Sequence, residues 1–87
     1  MLLTRLVVAL RDLELEGELS LSGRWVKLEG ERCAVYVVEA AWSGGYYTWC
    51  DDPGQRAVEH YLDPVEAIQA GQQRGLGHSP TPAHGLG

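Results

Sequence analysis

The sequence predicts an α+β domain: an antiparallel β-meander of five to six strands with one short C-terminal helix packed on one face. Three observations carry this. Residues 13–21 alternate apolar and polar, two tight-turn signals punctuate the middle of the chain, and Asp63-Pro64-Val65-Glu66 is a helix start. The alternative is a small β-barrel with the same helix. The chain of 87 residues is one domain. At that size only roughly 60–65% of the unfolded surface is buried, so the core is thin. Residues 1–74 form the compact part, with the helix at 64–74, and 75–87 a Gly/Pro/His-rich flexible tail.

Residues 2–10 satisfy two patterns. Leu2, Leu6, Val8 and Leu10 fit a strand face, whereas Leu3, Leu6, Leu10 and Leu13 fit a helix. Thr4 and the Val7-Val8 pair favour the strand. Leu13, Leu15, Leu19 and Leu21 then alternate with Glu14, Glu16, Glu18 and Ser20, which predicts a strand with one buried and one solvated face. Gly17 interrupts the apolar face and marks a bend, a bulge or a close backbone approach. With Asp12, the three glutamates form an acidic stripe, expected as the solvated side of the strand and as a guard against edge-to-edge pairing.

Ser22-Gly23 is a turn, and Trp25 to Leu28 a short strand. Gly30-Glu31 as a two-residue loop would set Leu28 opposite Cys33, Val26 opposite Val35 and Trp25 opposite Tyr36. A long strand follows from Arg32 to Trp42. The Ser43-Gly44-Gly45 turn leaves the next register open. Asp52-Pro53-Gly54-Gln55 is a tight turn that fixes the following hairpin. It pairs Asp51 with Arg56, Trp49 with Val58, Thr48 with Glu59, Tyr47 with His60 and Tyr46 with Tyr61. Asp63 is the N-cap, Pro64 the first helical residue and Gly75 the stop.

The chain has three Trp, four Tyr and no Phe, so every aromatic ring carries a polar handle. Such residues suit half-buried positions and interfaces. The candidate binding surface is Trp25, Tyr36, Trp42, Tyr46, Tyr47, Trp49, His60 and Tyr61. Strand alternation divides the last hairpin: Tyr47, Trp49, Val58, His60 and Leu62 share one face, and Tyr46, Thr48, Cys50, Ala57, Glu59 and Tyr61 the other. One short helix covers one face only, and an uncovered aromatic face marks an interaction site. The expected function is therefore a non-enzymatic protein–protein interaction or regulatory module. Its partner is a second copy, giving a homodimer, or a larger protein. A ligand-binding domain with an aromatic-lined pocket is the alternative, and a small enzyme using His60 with Glu59 or Glu39 comes third.

The chemistry-bearing residues give no catalytic or metal set and imply no cofactor. Glu59 and Cys50 fall on the opposite face from His60, which disfavours a His-carboxylate or Cys-His site. Asp51 and Asp52 are too few for a calcium loop. His78 and His84 in the tail make only a weak metal candidate. Cys33 and Cys50 lack CxxC spacing and are expected as free buried thiols, a single disulfide being the alternative. The net charge is −5 and the seven Lys and Arg are scattered, which argues against nucleic acid as partner. Arg5 and Arg11 interrupt an N-terminal apolar run too short to span a bilayer. No signal-peptide pattern is present, and a soluble, cytoplasmic protein is expected.

Overall fold

The computed structural model describes residues 3–76. It contains an open, five-stranded antiparallel sheet and two helices. The order is α1 (Arg5–Asp12), β1 (Glu18–Leu19), β2 (Trp25–Glu29), β3 (Ala34–Glu39), β4 (Tyr46–Cys50), β5 (Glu59–Tyr61) and α2 (Pro64–Gly75). The strands lie side by side in chain order, so the sheet is a meander and not a barrel. α2 crosses β3 and β4, and α1 packs beside α2. Both helices bury the same face of the sheet. Leu6, Ala9 and Leu10 from α1 meet Val26, Leu28, Val35, Val37, Tyr46, Ala67 and Ile68 in one core. The predicted tail beyond Leu76, with His78 and His84, lies outside the described residues.

The first segment corrects the strand expected over residues 2–10: from Arg5 it is helix, so the fold has two helices rather than one. Thr4 explains the outcome. Its hydroxyl accepts from the Val7 N–H at 3.2 Å, capping the helix, and donates to the Gly23 carbonyl at 2.6 Å. The helical spacing of Leu6, Val7, Ala9 and Leu10 puts all four in the core, which outweighs the weak β preference of two valines. The helix ends in a Schellman arrangement. The Leu15 N–H reaches the Leu10 carbonyl, and the Glu14 N–H reaches that of Arg11. Glu14 occupies the left-handed position usually given to glycine, with φ 57°.

This helix end also corrects the strand expected over 13–21. Leu13, Leu15 and Leu19 do pack on the core, but only Glu18–Leu19 pairs as a strand, and Leu21 is 98% exposed. The acidic residues Asp12, Glu14, Glu16 and Glu18 are solvent-exposed, as expected. Gly17 is a close approach: a Cβ there would sit 2.8 Å from Val26 Cγ2.

The β2–β3 register differs from expectation by two residues. Leu28 pairs with Val35, Lys27 with Tyr36 and Trp25 with Val38. The connecting loop is longer than two residues because it docks onto the end of α2. The Arg32 N–H donates to the Gly75 carbonyl at 2.9 Å. Gly30 is required by that contact, since its Cβ would lie 2.5 Å from Gly75 Cα. A shift of two keeps every side chain on its predicted face. The β4–β5 register is as predicted, with Tyr46 opposite Tyr61, Tyr47 opposite His60 and Thr48 opposite Glu59. The expected Asp51–Arg56 ion pair is not formed. Asp51 Oδ1 accepts from the Ala34 N–H, and Arg56 Nε donates to the Pro53 carbonyl. The ladder stops at Glu59, leaving Val58 unpaired.

α2 starts as predicted. The Asp63 side chain accepts from the Val65 N–H, and Pro64 occupies the first turn. Its inner side buries Ala67, Ile68, Gly71 and Arg74. Gly71 permits the close crossing, because a Cβ there would stand 2.7 Å from Val35 Cγ1. Among the described residues, no helix is long and apolar enough to cross a membrane.

Candidate functional site

The face of the sheet opposite the helices carries the aromatic residues. Strand alternation and register bring Trp25, Val38, Tyr47 and His60 into one row across β2–β5. A second row runs Glu18, Lys27, Tyr36 and Trp49 across β1–β4. The rings contact each other. Tyr36 and Trp49 stack with centroids 5.6 Å apart at 21°, and Tyr47 and His60 meet at 5.1 Å and 58°. This mutual packing leaves Trp25, Tyr36, Val38 and Trp49 half-buried, while Tyr47 and His60 are exposed. Val58 and Leu62 flank His60 and are 59% and 73% exposed.

The β3–β4 loop frames one end of the face. Gly44 and Gly45 adopt positive φ, and a Cβ on Gly45 would lie 2.5 Å from the Tyr61 carbonyl oxygen. His60 Nε2 donates to the Gly44 carbonyl at 2.7 Å, since that oxygen only accepts. Tyr47 Oη and Ser43 Oγ are 3.3 Å apart. The only charges in the rows lie toward the β1–β2 margin, where Lys27 pairs with Glu29 at 3.5 Å. The Tyr36 phenol, and then Glu29, hold the Lys27 ammonium above its ordinary range.

Of the eight residues predicted as a surface, five lie on this face: Trp25, Tyr36, Tyr47, Trp49 and His60. Tyr46 and Tyr61 point the other way. Tyr46 is 3% exposed in the core and Tyr61 packs against it. Burial pushes both phenols up. Trp42 sits in the β3–β4 loop and is fully exposed. Val38 and Lys27 belong to the face but were not in the predicted set. The correct β2–β3 and β3–β4 registers would have found them, because Val38 sits between Trp25 and Tyr47, and Lys27 stands opposite Tyr36.

A buried polar cluster on the helix side was not legible beforehand. Arg74 is fully buried. Its Nη1 donates to the Thr48 carbonyl at 3.2 Å and its Nη2 to the Gln55 carbonyl at 2.8 Å. Gln55 Nε2 and Cys33 Sγ both donate to the Arg74 carbonyl, and Cys50 Sγ donates to that of Gln55. The cluster ties the 51–58 segment to the last turn of α2. Both cysteines are free thiols. Burial, and then the neighbouring Cys50, push the Cys33 thiol up to about 11, so its nucleophilic thiolate is scarce at neutral pH. Among the described residues, no three His, Cys, Asp or Glu side chains are grouped to hold a metal.

Two clefts open on the helix side, of about 210 and 260 Å³, and neither is lined by an aromatic side chain. His60 faces away from Glu59, which stands opposite the core residue Thr48. No family model, curated protein or solved structure matches the chain.

Proposed function

We propose that the chain is a small interaction module that self-associates through the open aromatic face of its sheet. The observation that carries this reading is the uncovered row of Trp25, Val38, Tyr47 and His60 backed by the Tyr36–Trp49 stack. Both helices lie on the other side, so nothing within the described residues covers these rings. Contiguous apolar surface of this kind marks an interface, and Trp and Tyr are the residues enriched at interface centres.

The occupant proposed is a second copy, because an open sheet face is matched by another sheet. Five strands at about 4.8 Å spacing and a strand length near 16 Å give a flat footprint of about 300 Å² before side-chain relief is counted. That is well below the roughly 800 Å² of accessible surface per partner typical of a stable dimer, so the association is weak and concentration-dependent. Two open sheet faces stack about 10 Å apart with their strands within about 30° of each other. A two-fold axis over β4 sets Tyr47 and Trp49 against their counterparts and leaves the charged β1–β2 margin at the rim. The product is a four-layer helix–sheet–sheet–helix dimer of micromolar strength.

The three tryptophans provide an internal test. On dilution from millimolar to low micromolar concentration, the indole N–H resonances of Trp25 and Trp49 are expected to shift, whereas that of Trp42 stays still. Indole signals that ignore concentration would refute self-association by this face. A larger protein partner would then be the remaining occupant.

A further inference from the structure

A different part of the molecule carries a second site. The last turn of α2, the β2–β3 loop and the chain leaving α1 enclose the cleft of about 210 Å³. Its floor is apolar, formed by Leu28, Val35 and the bare backbone of Gly71, and its rim carries Glu16 and Glu31; Glu29 also lines it, but its carboxylate is turned to Lys27 on the aromatic side. The Glu16 and Glu31 carboxylates come from two separate segments, the chain leaving α1 and the β2–β3 loop, and both residues are exposed. Lys27 pairs with Glu29, and Arg74 is turned into the core toward the Thr48 and Gln55 carbonyls. Arg32, next to Glu31, is the other nearby cation, yet among the described residues neither Glu16 nor Glu31 forms an ion pair. The C-terminal end of α2, whose Gly75 and Leu76 also line the cleft, adds the negative end of a helix dipole.

We propose that this cleft takes a lysine side chain of a partner polypeptide, its methylenes on the floor and its ammonium among the rim carboxylates. The size selects one side chain, since sites for whole small molecules run about 300–1,000 Å³. The chemistry selects lysine over arginine. Lysine offers an aliphatic stem and a compact charge that two separate carboxylates flank, whereas a guanidinium seeks a bidentate partner. The cleft lies on the helix side, away from the aromatic rows, so the proposal does not depend on self-association.

The test titrates the full chain with n-hexylammonium and, separately, with hexanoate, following backbone amide resonances. Hexylammonium is expected to bind with a millimolar Kd and to shift Leu28, Glu31, Gly71 and Gly75. Hexanoate should bind about five-fold more weakly, and the Glu16→Gln/Glu31→Gln variant should weaken hexylammonium about three-fold. Added salt should weaken the wild-type interaction in the same direction, which checks the charge contribution without any substitution. Equal binding of hexanoate, an unresponsive cleft, or shifts confined to the aromatic rows would overturn the proposal.

Discussion

Tyr46 and Tyr47 are neighbours in one strand with the same side chain and opposite surroundings. Tyr46 is 3% exposed beneath the helices, and Tyr47 is 38% exposed on the open face. Around Tyr46 the sheet presents Val26, Val35, Val37, Thr48 and Cys50, which are compact and buried. Around Tyr47 it presents Trp25, Tyr36, Trp49 and His60, which are large, polar-tipped and partly wet. A face that folds under a helix is built from side chains that fill a fixed volume. A face built from Trp and Tyr retains apolar area that a later partner removes from water. The first side therefore secures stability, and the second is the side through which self-association is proposed.

The sharpest way to break that contrast is to truncate both tyrosines. Tyr46→Ala is expected to cost about 4 kcal/mol of unfolding free energy by opening a cavity in the core. Tyr47→Ala should cost only about 1 kcal/mol while weakening self-association about ten-fold. Equal unfolding midpoints in denaturant would erase the distinction. Within the open side, Trp49→Ala should lose about 2 kcal/mol from its stack on Tyr36, and the fully exposed Trp42→Ala close to none.

On the helix side, Gly71→Ala should destabilise by about 1 kcal/mol. The clash with Val35 outweighs the gain in helix propensity. A more stable variant would show that α2 does not sit this close to the sheet. The helix side also predicts alkaline sensitivity. Cys33 is raised from 9.0 to about 11, and Tyr46 and Tyr61 are raised as well. Raised acids favour folding while protonated, so their contribution is complete below about pH 9 and is lost as pH climbs toward 11. Cys33→Ala should flatten that fall in a pH series of denaturant midpoints. A small gain is expected from Glu14→Gly, which relieves the left-handed strain and should stabilise by about 0.5 kcal/mol net of the entropy of the unfolded chain. Thermal unfolding resolves it.

Local signals announced some elements and tertiary ones decided the rest. The Asp52-Pro53-Gly54-Gln55 turn set the β4–β5 register, and Asp63-Pro64 set the start of α2, because each motif satisfies its own backbone within a few residues. The division of Tyr46 from Tyr47 followed directly from that register. The first helix escaped because its stop is a glutamate in a glycine position and its cap, Thr4, also serves the distant Gly23 carbonyl. The β2–β3 loop escaped because Gly30 answers to Gly75, not to its own turn. Arg74 in the core was invisible for the same reason: its partners are the carbonyls of Thr48 and Gln55, which only the fold brings near.

Sedimentation equilibrium on the wild type and on Tyr47→Glu tests the central claim most directly. The account predicts a monomer–dimer equilibrium in the micromolar range for the wild type, and a folded monomer for the variant. A wild-type chain that stays monomeric at high micromolar concentration, or a variant that dimerises equally well, would contradict it.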